Sequence, residues 1–215
     1  MTTTNADGAA PQPDAIAPGG YPKEVELRDG QTVILRLMTP EDAGLLHEFF
    51  CRIPAEDLLF LRRDVTQRAV IDQWSERVRR GQVVTVFALQ GNKLVGEASL
   101  HTNSVPWSEH VGEVRVVVDQ NTRLGGLGTR LTSEVFLLAI QRGIGKIVAE
   151  MTIEQKAAIA VFQKLGFRVE GLLRNHVRDR AGAPHDLVLM GHETQEFYEQ
   201  MQAYGLSDQF AEGHD

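Results

Sequence analysis

Apolar and polar positions along this chain switch several times between a period of two and a period near 3.6, and the switches divide it into elements. Glu24 to Leu27 and Thr32 to Leu37 are β-rich arms around Arg28-Asp29-Gly30-Gln31, where Asp29-Gly30 supplies the positive φ of a tight turn, so a hairpin is expected. Thr39-Pro40-Glu41-Asp42 then offers a capping hydroxyl, a proline at the first helical position and acids in the first turn; a helix is expected through about Cys51. Pro54-Ala55-Glu56-Asp57 opens a second helical region carrying Leu58, Leu59, Phe60 and Leu61. Ala69 to Arg80 continues it with Val70, Ile71, Trp74 and Val78. Gln82 to Gln90 and Lys93 to Leu100 form a second hairpin around Gly91-Asn92, and His101 to His110, with Pro106 and Trp107, reads as a loop.

The stretch from Gly112 to Leu131 organises the rest. Val114 to Val118, a short β-branched run with Arg115 inside it, favours a strand. A polar turn, Asp119 to Thr122, leads into Arg123-Leu124-Gly125-Gly126-Leu127-Gly128. Leu127, Leu131, Val135 and Leu138 then lie on one helical stripe until Gly143 stops it. Beyond come a strand at Lys146 to Thr152, a helix at Lys156 to Leu165, a strand at Phe167 to Leu172, a turn at Arg178 to Pro184 and a strand at Asp186 to Met190. Glu193 to Tyr204 is expected to form a helix covering an edge. Residues 1–20, rich in Thr, Ala, Pro and Gly, read as a flexible tail and residues 205–215 as a frayed end, so residues 21–204 make one domain. This order of elements implies an α/β fold on a mixed sheet.

Composition narrows the function classes. With 42% hydrophobic and 24% charged residues in 215, the chain is an ordinary globular protein with material for a sizeable core. A net charge of -7 without a basic stripe argues against a nucleic-acid partner and suits cationic amines. The single cysteine, Cys51, excludes an internal disulfide and suggests a reducing compartment. The first residues lack the order of a signal peptide and no apolar stretch of about 18 residues occurs, so a cytoplasmic protein without membrane contact is expected. The histidines show no metal-ligand spacing with cysteine, and no metal is expected.

Glycines where a loop becomes a helix let a ligand approach the backbone, and the first helical N–H groups are unpaired donors at a positive dipole end, which suits phosphate. A P-loop needs Gly-Lys-Ser or Gly-Lys-Thr, whereas Thr129-Arg130 follows Gly128 here; a dinucleotide loop needs a glycine three residues later, where Leu131 stands. Arg-x-x-Gly-x-Gly at Arg123, Gly126 and Gly128 remains. It resembles the acetyl-coenzyme A pyrophosphate loop of the GCN5-related N-acetyltransferases, the GNAT family. Gln155-Lys-Ala-Ala-Ile-Ala-Val-Phe-Gln-Lys-Leu-Gly-Phe167 resembles that family's segment flanking the pantetheine arm. The hairpin from Leu27 to Arg36 with Thr39-Pro-Glu-Asp and Ile53-Pro-Ala-Glu-Asp-Leu is similar to the opening of the bacterial protein lysine acetyltransferase branch. The likeness covers about Glu24 to Gly191.

The resemblance implies a GNAT fold: a mixed, mostly antiparallel sheet flanked by helices, with strands splayed at the acetyl-CoA site. It implies that the main chain of Val116, Val117 and Val118 meets the pantetheine and thioester. It further implies that Arg123, Leu124, Gly125, Gly126, Leu127, Gly128 and Thr129 hold the pyrophosphate, and that Gln155 and Phe162 border the arm. A lysine amine is mostly protonated at pH 7, so a base is required. Glu113 matches the base of the lysine acetyltransferase branch and Glu150 that of the ribosomal-protein N-terminal acetyltransferases; Glu113 is preferred because the opening segment points the same way. Three departures stand out. Phe162 replaces a tyrosine that relatives use to protonate the thiolate, leaving Tyr21, Tyr198 and Tyr204 as the only tyrosines; Gly125 replaces a basic residue; Gln155 replaces Asn.

Other residues carry less. His185-Asp186 reads as a turn-to-strand junction, Cys51 as core, Arg62, Arg63, Arg79 and Arg80 as solvated faces of the helices walling the cleft, and Phe49, Phe50, Leu58, Phe60 and Trp74 as core. The expected function is transfer of acetyl from acetyl-CoA to a primary amine, first of all a protein lysine, in a monomer or homodimer. A small amine, a protein N-terminus or a catalytically silent acyl-CoA-binding module are the alternatives.

Overall fold

The computed structural model describes residues 20–54, 57–58, 61, 63–122, 124–179 and 181–194. β1 (Lys23–Glu26) and β2 (Thr32–Leu37) form the expected hairpin, with Gly30 at φ 77° and the Gly30 N–H donating to the Leu27 carbonyl at 3.0 Å. At Thr39 the chain makes one 3-10 turn, Pro40–Asp42, before α1 (Ala43–Arg52). Asp42 fixes that corner. Its carboxylate accepts the Thr39 backbone N–H at 2.8 Å and both terminal nitrogens of the Arg36 guanidinium at 2.6 and 2.7 Å.

The second helical region is shorter than its apolar residues suggest. α2 spans Arg68–Arg79, while the described residues between Pro54 and Gln67 form turns rather than helix. Asp64 accepts the Thr66 N–H and the Thr66 hydroxyl, a local alternative that competes with helical pairing. Leu59, Phe60 and Arg62 lie outside the described residues. Cys51, expected in the core, is exposed, its Sγ 3.6 Å from His47 Nε2.

β3 (Val83–Gln90) and β4 (Lys93–His101) are interior strands, and β5 (Val111–Val118) begins three residues earlier than its valine run suggests. α3 (Leu127–Gln141), β6 (Lys146–Thr152) and α4 (Lys156–Lys164) follow the expected bounds closely. β7 (Arg168–Arg178) and β8 (Pro184–Glu193) extend past expectation at both ends of their turn. β7 is the outer strand and exposed along most of its length, so its polar residues carry no alternation to read. The expected helix at Glu193 to Tyr204 and both tails fall almost wholly outside the described residues.

One sheet results, in the order β1-β2-β3-β4-β5-β6-β8-β7. Every neighbouring pair is antiparallel except β5 and β6, which α3 connects in parallel. Side chains alternate between two buried layers. Val114, Ala98, Val86, Leu127, Leu131 and Val135 belong to the layer under α3; Val117, Phe87, Leu94, Phe49, Phe50, Ile71 and Trp74 belong to the layer under α1 and α2. Burial on both faces explains why β3 and β4 read as continuous apolar runs. No helix among the described residues is long and apolar enough to cross a membrane.

Candidate active site

β5 holds two different neighbours along its length. Toward β4 it is paired from Glu113 to Val118; toward β6 the ladder covers only Val111 to Glu113 against Lys146 to Val148. β6 meanwhile keeps pairing with β8 up to Thr152. The two parallel strands therefore part after Glu113, and the β6-facing edge of Val114 to Val118 opens into a wedge. Gly112 permits the tight root of that wedge: a Cβ there would sit 2.6 Å from Leu100 Cδ1 and 3.2 Å from Ile144 Cγ2.

At the far end of β5 the chain turns through a 3-10 segment, Gln120–Thr122. Buried Asp119 organises it, accepting the Asn121 N–H at 3.0 Å and meeting Lys93 Nζ at 3.1 Å. Burial alone would raise the Asp119 carboxyl, but Lys93 and the Asn121 N–H outweigh it and hold it below the usual carboxylate range. Gly126 is the N-cap of α3 with φ 86°, a left-handed value that favours glycine, and no side chain caps the helix. The first turn of α3 contains no acid of its own, so no carboxylate within the helix offsets its positive end.

The tip of the first hairpin touches this loop, a contact that sequence reading missed. Asp29 Oδ2 accepts the Gly125 N–H at 2.6 Å, the Arg28 N–H donates to the Gly125 carbonyl at 3.2 Å, and the Arg28 side chain lies across Gly126. The Gly125 N–H holds the Asp29 carboxyl below its ordinary range, with help from the Gln31 N–H. The hairpin tip thus sets a cationic side chain, Arg28, beside Gly126 and a carboxylate, Asp29, beside Gly125.

The remaining donor-side residues are distributed as follows. Leu124 and Leu127 are buried in the α3 layer, and a Cβ at Gly128 would stand 3.8 Å from Val118 Cγ2. Thr129 accepts the Ser133 hydroxyl at its carbonyl. Gln155 is the N-cap of α4, and its amide oxygen accepts the Thr152 N–H at 2.9 Å. Phe162 is buried edge-on against Phe167, ring centroids 4.9 Å apart, in the α3 layer. Arg123 lies outside the described residues. Tyr21 has a fixed task elsewhere: its hydroxyl donates to Glu134 Oε2 at 2.5 Å, and burial together with that carboxylate raises its pKa far above the ordinary tyrosine value. Tyr198 and Tyr204 lie outside the described residues.

On the other face of β5 lies a cavity of about 400 Å³. Glu113 lines it with Arg115, and Arg115 Nε donates to Glu113 Oε1 at 2.8 Å. Register places His101 of β4 opposite Glu113, and Ser99 opposite Arg115. From α2 come Trp74, Gln73 and Arg77. The Trp74 indole donates to Thr85 Oγ1 at 3.0 Å and packs edge-on against His101, centroids 5.1 Å apart. Arg77 donates to His101 Nδ1 and to the Thr102 carbonyl, both at 3.4 Å. A guanidinium only donates, so this contact makes Nδ1 the acceptor and puts the ring proton on Nε2, 3.1 Å from the Ser99 hydroxyl. Arg63, expected as a solvated face, also lines the cavity, whereas Arg79 and Arg80 pair with Glu76 at the surface. Glu150 shares the sheet face of Glu113 and Val148 but stands two residues further along β6, where the strands have parted.

One buried acid was not foreseen. Glu97, between Phe87 and Val117 in the sheet, is fully buried, and neither carboxyl oxygen meets a donor in hydrogen-bonding geometry. Burial pushes its carboxyl up to about 8, against a lesser pull from nearby Ser99 and Arg115. His185, by contrast, is structural: it meets Glu154 at 3.2 Å and Asp179 at 3.4 Å, which raise its pKa and tie the β7–β8 turn to the end of β6.

The model of the acetyltransferase (GNAT) family matches residues 47–167, more than half of the chain. The chain belongs to this family. Among solved structures, a GNAT-family acetyltransferase from Streptococcus pneumoniae is 21% identical, with a TM-score of 0.65 over 75% of this chain and 99% of that one. A ribosomal-protein-alanine N-acetyltransferase from Brucella melitensis is 24% identical, TM-score 0.65, over 74% and 98%. Salmonella typhimurium yncA, solved with its cofactor acetyl-CoA, is 19% identical, TM-score 0.66, over 76% and 94%. At these identities the likeness concerns the fold. No curated protein matches the chain. As a GNAT enzyme, the chain is an acetyl-CoA-dependent N-acetyltransferase, and the sheet is the expected mixed, mostly antiparallel one. Its wedge and uncapped glycine helix start fit the co-substrate: open strand edge for amides, helix N–H groups for phosphates.

Proposed function

We propose that this GNAT enzyme acetylates a small primary amine by direct attack on acetyl-CoA, with Glu113 as general base. The observation that carries the reading is the position of Glu113, at the root of the wedge and in the wall of the cavity on the opposite face. Acetyl-CoA supplies the activated acyl group as a thioester. Val116 to Val118 offer main-chain groups along the open edge of β5, while Gly126 and the first turn of α3 offer donors for the pyrophosphate, with Arg123 and Arg28 as its cations. Glu113 takes the proton that the attacking amine must lose. Glu150, on the same sheet face, is the second candidate for that task. Among the described residues Tyr21 is committed to Glu134, which leaves solvent, Tyr198 or Tyr204 to protonate the thiolate.

The size of the cavity, about 400 Å³ and within the usual range for ligand sites, favours a small acceptor. A protein lysine is the second reading, supported by the opening segment's resemblance to the bacterial lysine acetyltransferase branch. The test is thiol release from acetyl-CoA with amines and lysine peptides, for wild type, Glu113→Gln and Glu150→Gln. Acceptor-dependent release that survives in Glu150→Gln and is lost in Glu113→Gln is expected; the reverse pattern moves the base to Glu150.

A further inference from the structure

We infer that the acceptor is a small amine carrying its own anionic oxygen group, a carboxylate or phosphonate within a few bonds of the nitrogen, held by Arg63, Arg77 and Arg115. This inference rests on reading the cavity as the acceptor site. Among its described lining residues the charged groups are those three guanidiniums and one carboxylate, Glu113, which Arg115 already engages. The excess is local, since the whole chain carries a net charge of -7.

Three guanidiniums around one small cavity repel each other, and the cost is visible at the innermost. Burial, then the charges of Arg115 and Arg63, weaken the hold of Arg77 on its proton, and only Glu113 opposes them. Among the described residues Arg77 makes no ion pair of its own: it donates to an imidazole nitrogen and a carbonyl at 3.4 Å, long bonds for a guanidinium. Arg63 donates to the neutral Gln73 amide. Forked donors directed into a cleft are suited to planar or tetrahedral oxyanions. The walls between them, Trp74, Val70 and Val148, are apolar and fit a short carbon skeleton.

The same field discriminates among amines. A polyamine or an isolated lysine side chain brings only positive charge and is repelled. A zwitterionic amine is anchored by its anion, and its ammonium enters a field that favours proton loss, the form required for attack. Glu113, beside Arg115, then lies within one molecule's length of the anion site.

The experiment uses the full chain and thiol release from acetyl-CoA with matched probes. These are the protein amino acids against their carboxamides, aminoethylphosphonate against propylamine, and spermidine and lysine peptides with neutral or acidic flanks. The free acids are expected to exceed their amides in kcat/KM by about ten- to a hundredfold, the size of a lost charge-assisted contact. That preference is expected to shrink in Arg77→Gln and in Arg63→Gln, the latter at an exposed position. Amides or spermidine turned over as well as the acids would overturn the inference, as would transfer to lysine peptides alone. Saturable acetyl-CoA binding with no thiol release from any amine would instead sink the acceptor-site reading under Proposed function. The anion site would then be decided by melting temperature: amino acids but not amides must raise it in wild type and fail to in Arg77→Gln.

Discussion

On the α3 side of β5 the groups offered to a ligand are main-chain ones: an open strand edge from Val114 to Val118, a left-handed glycine, and the uncapped N–H groups of a helix. On the α2 side they are side chains, Glu113, Arg115, Arg77 and His101, drawn from three separate elements. On the proposed reading, one strand thus serves a main-chain site and a side-chain site. Main-chain donors bind a shape that is common to every reaction of the enzyme, while side chains can differ wherever the acceptor differs. Mutations should therefore separate: on the α2 face they should change turnover and acceptor choice, and on the α3 face they should change acetyl-CoA affinity.

The largest effect is expected at Glu113. Glu113→Gln keeps the shape and a partner for Arg115 but removes the proposed base, so kcat should fall by about 10²- to 10⁴-fold. The dissociation constant for acetyl-CoA, measured by calorimetry, should stay within about twofold on the separation argued here. A large loss of acetyl-CoA affinity in the same variant would break the separation.

Next comes Glu97, buried in the sheet between Phe87 and Val117 and not among the residues that line the cavity. Its carboxyl is raised from an ordinary value to about 8, so the folded state holds a proton that the unfolded chain releases at lower pH. Stability from this group is complete below the unfolded value, falls as pH rises through the interval between the two, and levels off above about 8. Glu97→Gln keeps a neutral polar side chain and removes that dependence. Wild type should lose about 2–5 kcal/mol relative to the variant between pH 5 and pH 9, read from urea midpoints. Parallel curves for the two proteins would show that the carboxyl is not neutral in the folded state.

How far the sequence reveals each side follows from the same difference. Strand, glycine loop and α3 are contiguous, and the conformation that Gly126 must adopt is a local property, so that region was readable. The α2-side cavity depends on register: His101 stands opposite Glu113 only because β4 and β5 pair as they do, and Arg77 arrives from a helix packed across them. A trace existed in Arg115, a charge inside an apolar strand, and in Arg77, one turn from Trp74. Glu97 left none, because a glutamate in an alternating strand reads as solvent-facing, and β4 has no solvent-facing side. Leu58 and Leu61 misled in the other direction: the apolar density around them suited a helix, but the described residues there form turns, and Asp64 and Thr66 form their own.

Gly126 tests the main-chain side directly. Valine at φ 86° is strained for any β-branched residue, and its Cβ would also lie 3.3 Å from the Arg28 side chain. Gly126→Val should weaken acetyl-CoA about tenfold or more, with the acceptor KM little changed, and should cost about 1–3 kcal/mol of stability. An unaltered acetyl-CoA affinity would mean that the loop does not approach the co-substrate closely.

The smallest effects are the sharpest test, because they have opposite signs at adjacent residues. Asp29 accepts the Gly125 N–H and brings a negative charge to a loop read here as a phosphate site; Arg28 brings a positive one across Gly126. If the loop binds pyrophosphate, Asp29→Asn should tighten acetyl-CoA by about two- to fivefold and Arg28→Gln should weaken it by a similar factor, both fading at high salt. Tightening argues that the Asp29 carboxylate competes with the incoming phosphates for the Gly125 N–H. Weakening in Asp29→Asn would assign it the opposite task, holding the loop in shape, and the charge of Gly125's neighbours would then matter less than their geometry.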